Sequence, residues 1–203
     1  MNSFAALPAT RMPHRTAIVV LATGPRPGDG AAQAAGAGPL GQTVARALQT
    51  RLPVVVVTTA ERVPAVAHLV AGRDCVVLPP TQAAQGWGRG FAAGVAERAS
   101  ASGWLLLPGD MPQVQPSTLL AVAHGLRGHA VAFAQYRGRR GYPLGFSAEL
   151  YSELMGLQGD EGARRLVARY PGYAAEVDDP GVQPDSDAAL EVMAVPSRFG
   201  ATP

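Results

Sequence analysis

Short, unbroken apolar runs alternate along the chain with segments whose apolar residues recur at helical spacing. The runs are rich in β-branched residues, which is typical of strands buried on both faces of a sheet. Strands are predicted over residues 16–21, 53–57, 75–78, 103–107, 131–134, 143–146 and 174–177. Helices are predicted over residues 40–50, 63–70, 90–98, 117–126, 148–157 and 162–170, and again from residue 188. Because parallel strands need crossover connections, the alternation predicts an α/β fold with a doubly wound, mostly parallel sheet and helices on both faces.

The regular succession of these elements favours one domain. A chain of 203 residues falls within the usual range of a single domain, and no linker or internal repeat divides it. We therefore predict one domain over residues 1–203, with flexible tails at residues 1–14 and 196–203.

Composition narrows the classes of protein that the chain can belong to. A hydrophobic content of 47% against 16% charged residues excludes a disordered polyelectrolyte. The net charge of +2 comes without any basic run, so no nucleic-acid partner is expected. All 17 basic side chains are arginine, and the chain contains no lysine.

The remaining compositional signals concern cysteine, histidine and the membrane. The single cysteine, Cys75, cannot form an internal disulfide, which predicts a reducing, cytoplasmic location, and its place within a strand favours a core role. The four histidines show no metal-binding spacing. No signal peptide is recognisable, and no apolar run approaches the ~20 residues of a membrane-spanning helix, so no membrane partner is expected.

Several polar or glycine-rich segments follow directly after predicted strands. Ligands of open α/β sheets bind beyond the carboxyl ends of the strands. This rule brings the loop after Leu21, the segment after Leu78, Asp110 and the segment near Arg139 to one edge of the sheet. That edge is the predicted binding site.

The loop after the first strand reads LATGPRPGDGAAQAAGAGPL. Its glycines let the backbone approach a ligand closely, and successive N–H groups can bind phosphate. It matches neither the P-loop pattern nor the dinucleotide-binding glycine pattern. A flexible linker is the alternative interpretation.

Asp110 follows the strand at 103–107 in the segment Pro108-Gly109-Asp110-Met111-Pro112. A carboxylate held at the end of a buried strand suits Mg²⁺, which takes one or two such oxygens together with phosphate and water. The alternative is a turn aspartate that binds its own backbone. Asp185 and Asp187 offer a second metal ligand or, equally, a helix cap.

Two further segments carry charged residues. In residues 136–143 (YRGRRGYP), arginines between glycines can present paired donors to phosphate or a nucleobase, although a solvent-exposed hairpin turn explains the composition as well. In residues 159–165 (GDEGARR), Asp160 is predicted as the N-cap of the helix that follows.

Seven segments, spread over residues 16–192, carry a resemblance to a known family through their sequence and their order along the chain: LATG, PLGQTVARAL, GWGRGFAAGV, LLLPGDMP, YRGRRGYP, LQGDEGARRL and DSDAALE. In these segments the chain resembles the molybdenum cofactor nucleotidyltransferases, specifically the cytidylyltransferase branch of the MobA-like family. The resemblance implies a Rossmann-like nucleotidyltransferase fold and transfer of CMP from CTP to molybdopterin, with release of pyrophosphate. A molybdoenzyme is an implied further partner, and GTP is the nucleotide of the guanylyltransferase branch.

The resemblance also implies roles for particular residues. Asp110 and Asp187 would hold Mg²⁺, and Asp110 would also be catalytic. Arg26 is the second predicted catalytic residue, as a candidate for the cation that the first loop lacks. The implied nucleotide-binding residues are Leu21, Ala22, Thr23, Gly24, Gln33 and Gly90. The implied substrate-binding residues are Arg140, Gly141, Tyr142, Pro143 and Asp160.

The first loop departs from the family pattern at several positions. Arg26 stands at the serine position, Gly28 at the arginine position and Gln33 at the lysine position, while Gly90 replaces a serine. Two hypotheses follow. In one, Arg26 or Arg89 supplies the missing cation of an active cytidylyltransferase. In the other, the chain is a catalytically impaired relative that binds nucleotide or cofactor and delivers it to a molybdoenzyme.

Overall fold

The computed structural model describes residues 15–24 and 38–183. Its strands are β1 (Ala17–Ala22), β2 (Val54–Thr58), β3 (Cys75–Val77), β4 (Gly103–Pro108), β5 (Val131–Tyr136), β6 (Arg139–Ser147) and β7 (Gly172–Glu176). Its α-helices are α1 (Pro39–Gln49), α2 (Pro80–Ala83), α3 (Trp87–Glu97), α4 (Pro116–Gly125), α5 (Tyr151–Met155) and α6 (Gly159–Arg169). The strands form one seven-stranded sheet in the order β3-β2-β1-β4-β6-β5-β7.

The centre of the sheet is parallel and buried on both faces. β1 pairs in parallel with β2 on one side and with β4 on the other, and every residue of these three strands is buried. Unbroken runs such as IVVLA and WLLLP lie here because both faces of these strands are covered. The predicted α/β fold with a mostly parallel sheet is confirmed.

β6 runs against the rest of the sheet. It pairs antiparallel with β4 and with β5, whereas β7 pairs in parallel with β5. β5 and β6 form a hairpin whose turn residues Arg137 and Gly138 have φ of 50° and 75°. Because β6 is reversed, its first residues lie at the same edge as the carboxyl ends of the parallel strands. The segment near Arg139 therefore reaches the predicted edge as part of a β-hairpin.

Helices cover the sheet in two groups. α1 packs on β1 and β2 and touches α4, which packs on the strands from β4 to β7. The second group consists of α3, α5 and α6. In it, α3 packs on β1 and β2, and α5 and α6 pack against α3. Gly94 permits the close approach of α3, since a Cβ atom there would collide with the Val19 side chain. No helix within the described ranges is long and apolar enough to cross a membrane.

Four predicted helices differ from the observed ones by three residues or more at one end or both, among them α3, which begins at Trp87 instead of residue 90. The segment predicted as a helix over 63–70 forms a 3₁₀ helix, Ala60–Ala65, with Pro64 inside it, followed by turns. The helix predicted over 148–157 is a 3₁₀ turn, Ala148–Leu150, followed by the short α5. α6 begins at Gly159 and its N-cap is Gln158, so the prediction of Asp160 as N-cap is wrong. The helix predicted from residue 188 and both predicted tails lie outside the described residues.

Candidate functional site

The loop after β1 and the turn after β4 meet at the carboxyl edge of the sheet. The Gly109 N–H donates a 2.7 Å hydrogen bond to the Leu21 carbonyl oxygen. A Cβ atom at position 109 would lie 3.0 Å from that oxygen and 2.9 Å from Leu40 Cδ1, so only glycine fits this contact without displacement. The bond holds the half-buried Asp110 directly beside the beginning of the glycine-rich loop.

The first half of α3 packs against the same loop. A Cβ atom at Gly90 would lie 2.8 Å from Leu21 Cδ2 and 3.5 Å from Thr23 Oγ1. Leu21, Thr23 and Gly90, three of the predicted nucleotide-binding residues, are therefore neighbours. Arg89 is exposed on the first turn of this helix.

Arg62 is a residue of this edge that the sequence motifs did not reveal. Its Nη1 donates to the Ala22 carbonyl oxygen at 3.4 Å, and its Nη2 donates to the Gly24 carbonyl oxygen at 2.6 Å. The Thr58 hydroxyl also donates to the Ala22 oxygen, at 3.3 Å. Arg62 follows β2, so the rule that ligands bind beyond the carboxyl ends of strands applies to it as well.

Trp87, at the start of α3, contacts both sides of the site. Its indole Nε1 lies 3.9 Å from a Cβ built on Gly24, and its ring centroid lies 6.3 Å from that of Tyr142. The next residue, Gly88, packs against the backbone of Gln158 and Gly159, where a Cβ atom would come within 2.5 Å of the Gly159 oxygen. The first turn of α3 thus joins the β1 loop, the RGYP segment and the start of α6.

Arg140 has a distinctive environment. Its guanidinium carbon lies 4.1 Å from the centroid of the Phe133 ring, and its Nη1 is buried without a hydrogen-bond partner among the described residues. Burial lowers the pKa of the Arg140 guanidinium below its usual value. A buried cationic donor with an unused hydrogen bond is suited to an anionic ligand.

The other predicted substrate-binding residues of β6 are part of the core. Gly141 packs against the Val182 carbonyl group, and Gly141, Tyr142 and Pro143 are all buried. These residues shape the strand that carries Arg140. The backbone of Asp160 lies in the first turn of α6, directly after Gly159, whose carbonyl oxygen packs against Gly88 of α3. Arg26, Gln33 and Asp187 lie outside the described residues.

Asp179 is a second residue that the motifs did not reveal. Its carboxylate is 2% exposed and accepts hydrogen bonds from the Gln115 N–H at 2.9 Å, the Thr118 hydroxyl at 2.7 Å and the Gly181 N–H at 3.0 Å. These bonds join the segment after β7 to the amino-terminal end of α4. They fix the start of α4, the helix that follows the Asp110 turn along the chain, against the segment after β7.

The other end of the sheet holds an open cleft of about 450 Å³. Among its lining residues are His129, Glu149, Glu153 and Tyr170, and it contains none of the predicted site residues.

Burial raises the pKa of the Cys75 thiol, which opposes thiolate formation and agrees with a core role for this cysteine.

The donor set at the carboxyl edge suits a hard divalent cation shared with a ligand. Within the described ranges, no three histidine, cysteine, aspartate or glutamate residues gather into a cage that could hold a metal by themselves. Asp110 offers one carboxylate beside the start of the loop after β1, for which phosphate binding is predicted from the sequence. Mg²⁺ and Mn²⁺ are commonly held by one or two carboxylates plus phosphate oxygens and water, so the residues fit such an ion.

A mostly parallel sheet with this loop-and-aspartate edge defines a nucleotidyltransferase fold. The model of the MobA-like NTP transferase domain matches residues 18–175, and the chain belongs to that family.

Individual relatives agree with this assignment. The purine catabolism protein PucB of Bacillus subtilis is 33% identical over 114 residues, which are 54% of this chain and 55% of PucB. The match thus spans about half the length of that relative. Among solved structures, Rv0371c of Mycobacterium tuberculosis H37Rv is 25% identical with a TM-score of 0.67, covering 88% of this chain and 95% of that one.

Two other solved structures extend the comparison. Rv0371c has also been crystallised in complex with manganese, again at 25% identity and a TM-score of 0.67, covering 88% of this chain and 98% of that one. CMP:2-keto-3-deoxy-manno-octonic acid synthetase in complex with CTP is 16% identical with a TM-score of 0.62, covering 87% of this chain and 95% of that one. The second similarity concerns the fold alone.

Proposed function

We propose that this protein transfers CMP from CTP to molybdopterin and releases pyrophosphate. The observation that carries the proposal is the hydrogen bond from Gly109 to Leu21, which holds Asp110 beside the loop after β1. Nucleotide transfer needs an anchor for phosphate next to a metal-binding carboxylate, and this contact joins the two. The family assignment and the RGRRGYP and GDEGAR segments support the choice of reaction.

In the proposed reaction, a phosphate oxygen of molybdopterin attacks the α-phosphorus of CTP. A new P–O bond forms as the bond between the α- and β-phosphates breaks, and pyrophosphate leaves with the electron pair. The attacking phosphate is already an anion, so no side-chain base is required. Positioning and neutralisation of charge account for most of the rate enhancement in such a displacement.

The residues divide this work between them. Thr23 and Gly24 offer backbone to the triphosphate, and Arg26, Gln33 and Gly90 complete the proposed nucleotide side. Asp110, with Asp187 as the proposed second ligand, would hold Mg²⁺, which neutralises phosphate charge when bound. The crystallisation of Rv0371c in complex with manganese supports a divalent cation as a cofactor of this chain.

Arg140 is the proposed contact for the anionic second substrate. Its buried Nη1, to which no described residue offers a hydrogen bond, and its stacking on Phe133 favour a planar or phosphorylated ligand. Asp160 and the buried residues Gly141, Tyr142 and Pro143 would shape this side of the site. In this proposal, the buried strand residues 141–143 hold the neighbouring Arg140 in place.

Changing Arg140 to methionine is expected to weaken molybdopterin binding about tenfold, because the guanidinium that stacks on Phe133 and its charge-assisted hydrogen bond are lost while an apolar stem is kept. The KM for CTP should stay near that of the unchanged protein. Steady-state kinetics with each substrate varied in turn measures both values. The control is Arg127→Met, an exposed arginine at the other end of the sheet. An equal loss of affinity for CTP would argue against this division of the site.

The second proposed function is that of a catalytically impaired relative. It is favoured by Gly90, which stands at a serine position of the family pattern and presents no hydroxyl toward Thr23. Such a protein would bind molybdopterin or its nucleotide form without turnover and deliver it to a molybdoenzyme. Because the relative PucB is named for purine catabolism, we propose a purine-oxidising molybdoenzyme as the partner in either case. We also propose a cytoplasmic location for this protein.

Nucleotide choice can be tested by thermal unfolding with Mg–CTP and with Mg–GTP. A ligand that binds only the native state stabilises it by about 2.7 kcal/mol at a concentration 100 times its Kd. We expect a clear upward shift with Mg–CTP and a smaller one with Mg–GTP. A larger shift with Mg–GTP would replace cytidine by guanosine in the proposal. Binding of Mg–CTP and molybdopterin with no pyrophosphate release would select the impaired relative.

A further inference from the structure

We propose that Arg62 is the positioning residue that holds Thr23 and Gly24, at the start of the loop after β1, in the conformation that binds nucleotide, an inference that rests on the proposed function. Its two Nη atoms each donate to a different carbonyl, one at Ala22, the last residue of β1, and one at Gly24 in the loop that follows. A planar guanidinium that binds two carbonyls fixes both the position and the direction of the backbone between them. Arg62 acts through that backbone, so it is distinct from the residues proposed to touch the nucleotide.

The direction of the Ala22 carbonyl has a consequence for the next peptide N–H. In a trans peptide, the carbonyl oxygen and the following N–H point in opposite directions. The Ala22 oxygen points toward β2, where Thr58 and Arg62 donate to it. The Thr23 N–H therefore points toward β4, whose end carries Gly109 and Asp110. Arg62 thus directs a loop N–H group toward the proposed position of the phosphates.

The charge of Arg62 adds to this effect. The chain has no lysine, so any permanently charged cationic side chain beside the loop is an arginine. With Nη2 2.6 Å from the Gly24 oxygen, the Arg62 guanidinium brings a positive charge to the edge that a triphosphate would approach. Arginine cannot lose its proton in proteins, so this charge is permanent.

Three variants test the inference. Arg62→Met removes both hydrogen bonds and the charge but keeps much of the apolar stem. Arg62→Lys keeps the charge in a compact ammonium that cannot reproduce the planar two-carbonyl contact. Arg73→Met is the matched control, because Arg73 is an exposed arginine in the 3₁₀ turn that leads into the amino-terminal end of β3.

Two measurements on these variants are needed. The first is Mg–CTP binding, followed by the emission of Trp87, which lies next to Gly24, whereas the other tryptophan, Trp104, is fully buried. We expect the Kd to rise about tenfold in Arg62→Met and less in Arg62→Lys, with Arg73→Met unchanged. In turnover, the KM for CTP should rise by the same factor while the KM for molybdopterin stays constant. A merely structural role would alter both KM values together.

The second measurement is amide hydrogen exchange without nucleotide, in the peptide that contains Thr23 and Gly24. Exchange there should become faster in Arg62→Met, while the amides of β1 and β4 keep their protection. Unchanged exchange, or Mg–CTP binding equal to that of the unchanged protein, would overturn the inference and leave the proposed function standing. If the unchanged protein binds no nucleotide, the proposed function fails, and the exchange result still decides whether Arg62 holds the loop. If the amides of Arg62→Met lose protection from exchange throughout the fold, the same measurement on Arg62→Lys decides whether Arg62 holds the loop.

Discussion

Replacing Asp110 by asparagine is expected to lower the rate of pyrophosphate release by about 10²- to 10³-fold, the usual effect of removing one charge-stabilising group. The amide keeps the shape of the side chain but binds a divalent cation much less strongly than a carboxylate does. The loop contact made by the neighbouring Gly109 N–H belongs to the backbone and should persist. Rates at several Mg²⁺ and Mn²⁺ concentrations would measure the loss.

The control for Asp110→Asn is Glu97→Gln. It removes the same charge from an exposed position at the carboxyl-terminal end of α3, away from the candidate site. Glu97→Gln should retain the full rate, and both variants should unfold near the temperature of the unchanged protein. A rate for Asp110→Asn within threefold of the unchanged protein would show that Asp110 holds no metal needed for transfer.

Replacing Asp179 by alanine is expected to destabilise the fold by about 3 kcal/mol, because three donors, among them the buried Thr118 hydroxyl, lose a buried charged acceptor together. For a chain of this size, that loss corresponds to a fall in Tm of roughly 6–12 °C. The charge also lies near the amino-terminal end of α4, where the helix dipole favours an anion. Thermal and urea unfolding would give the change.

The neighbouring Asp178 provides the control for Asp179. Asp178 is exposed, so Asp178→Ala should change the free energy of unfolding by no more than about 0.5 kcal/mol. A similarly small effect of Asp179→Ala would mean that water replaces the carboxylate and that these three bonds do not hold the segment after β7 in place.

The central strands and the convergence of their ends were predictable from the sequence. A run such as Val54–Val57 has no polar face, and this pattern is characteristic of a strand buried on both sides. From parallel strands, the common edge of the β1 loop and Asp110 follows by topology alone. The structure confirms this convergence through the bond from Gly109 to Leu21.

The reversed strand β6 was not predictable in the same way. The segment 135–142 is polar and glycine-rich, and a central strand is expected to be apolar. β5 and β6 continue through it because the turn at Arg137 and Gly138 takes positive φ at both residues, which suits a tight hairpin. Arg137 is an unusual residue for that conformation, so the turn signal was weak.

Arg62 and Asp179 were missed for a different reason. Each acts on groups distant in sequence: Arg62 binds the loop at Ala22 and Gly24, and Asp179 binds Gln115 and Thr118. No local spacing marks such contacts, since they depend on the tertiary arrangement of the sheet edge. Asp160 was misplaced because α6 begins where it packs on Gly88, ahead of the position that capping preference favours.

The most direct test of the proposed function is to incubate the protein with Mg–CTP and molybdopterin and to analyse the products by mass spectrometry. Parallel reactions would contain Mg–GTP in place of Mg–CTP. We expect a product with the mass of molybdopterin joined to CMP, formed together with an equal amount of pyrophosphate. No such product with CTP, or a GMP adduct formed in preference to it, would rule out the proposed transfer of CMP.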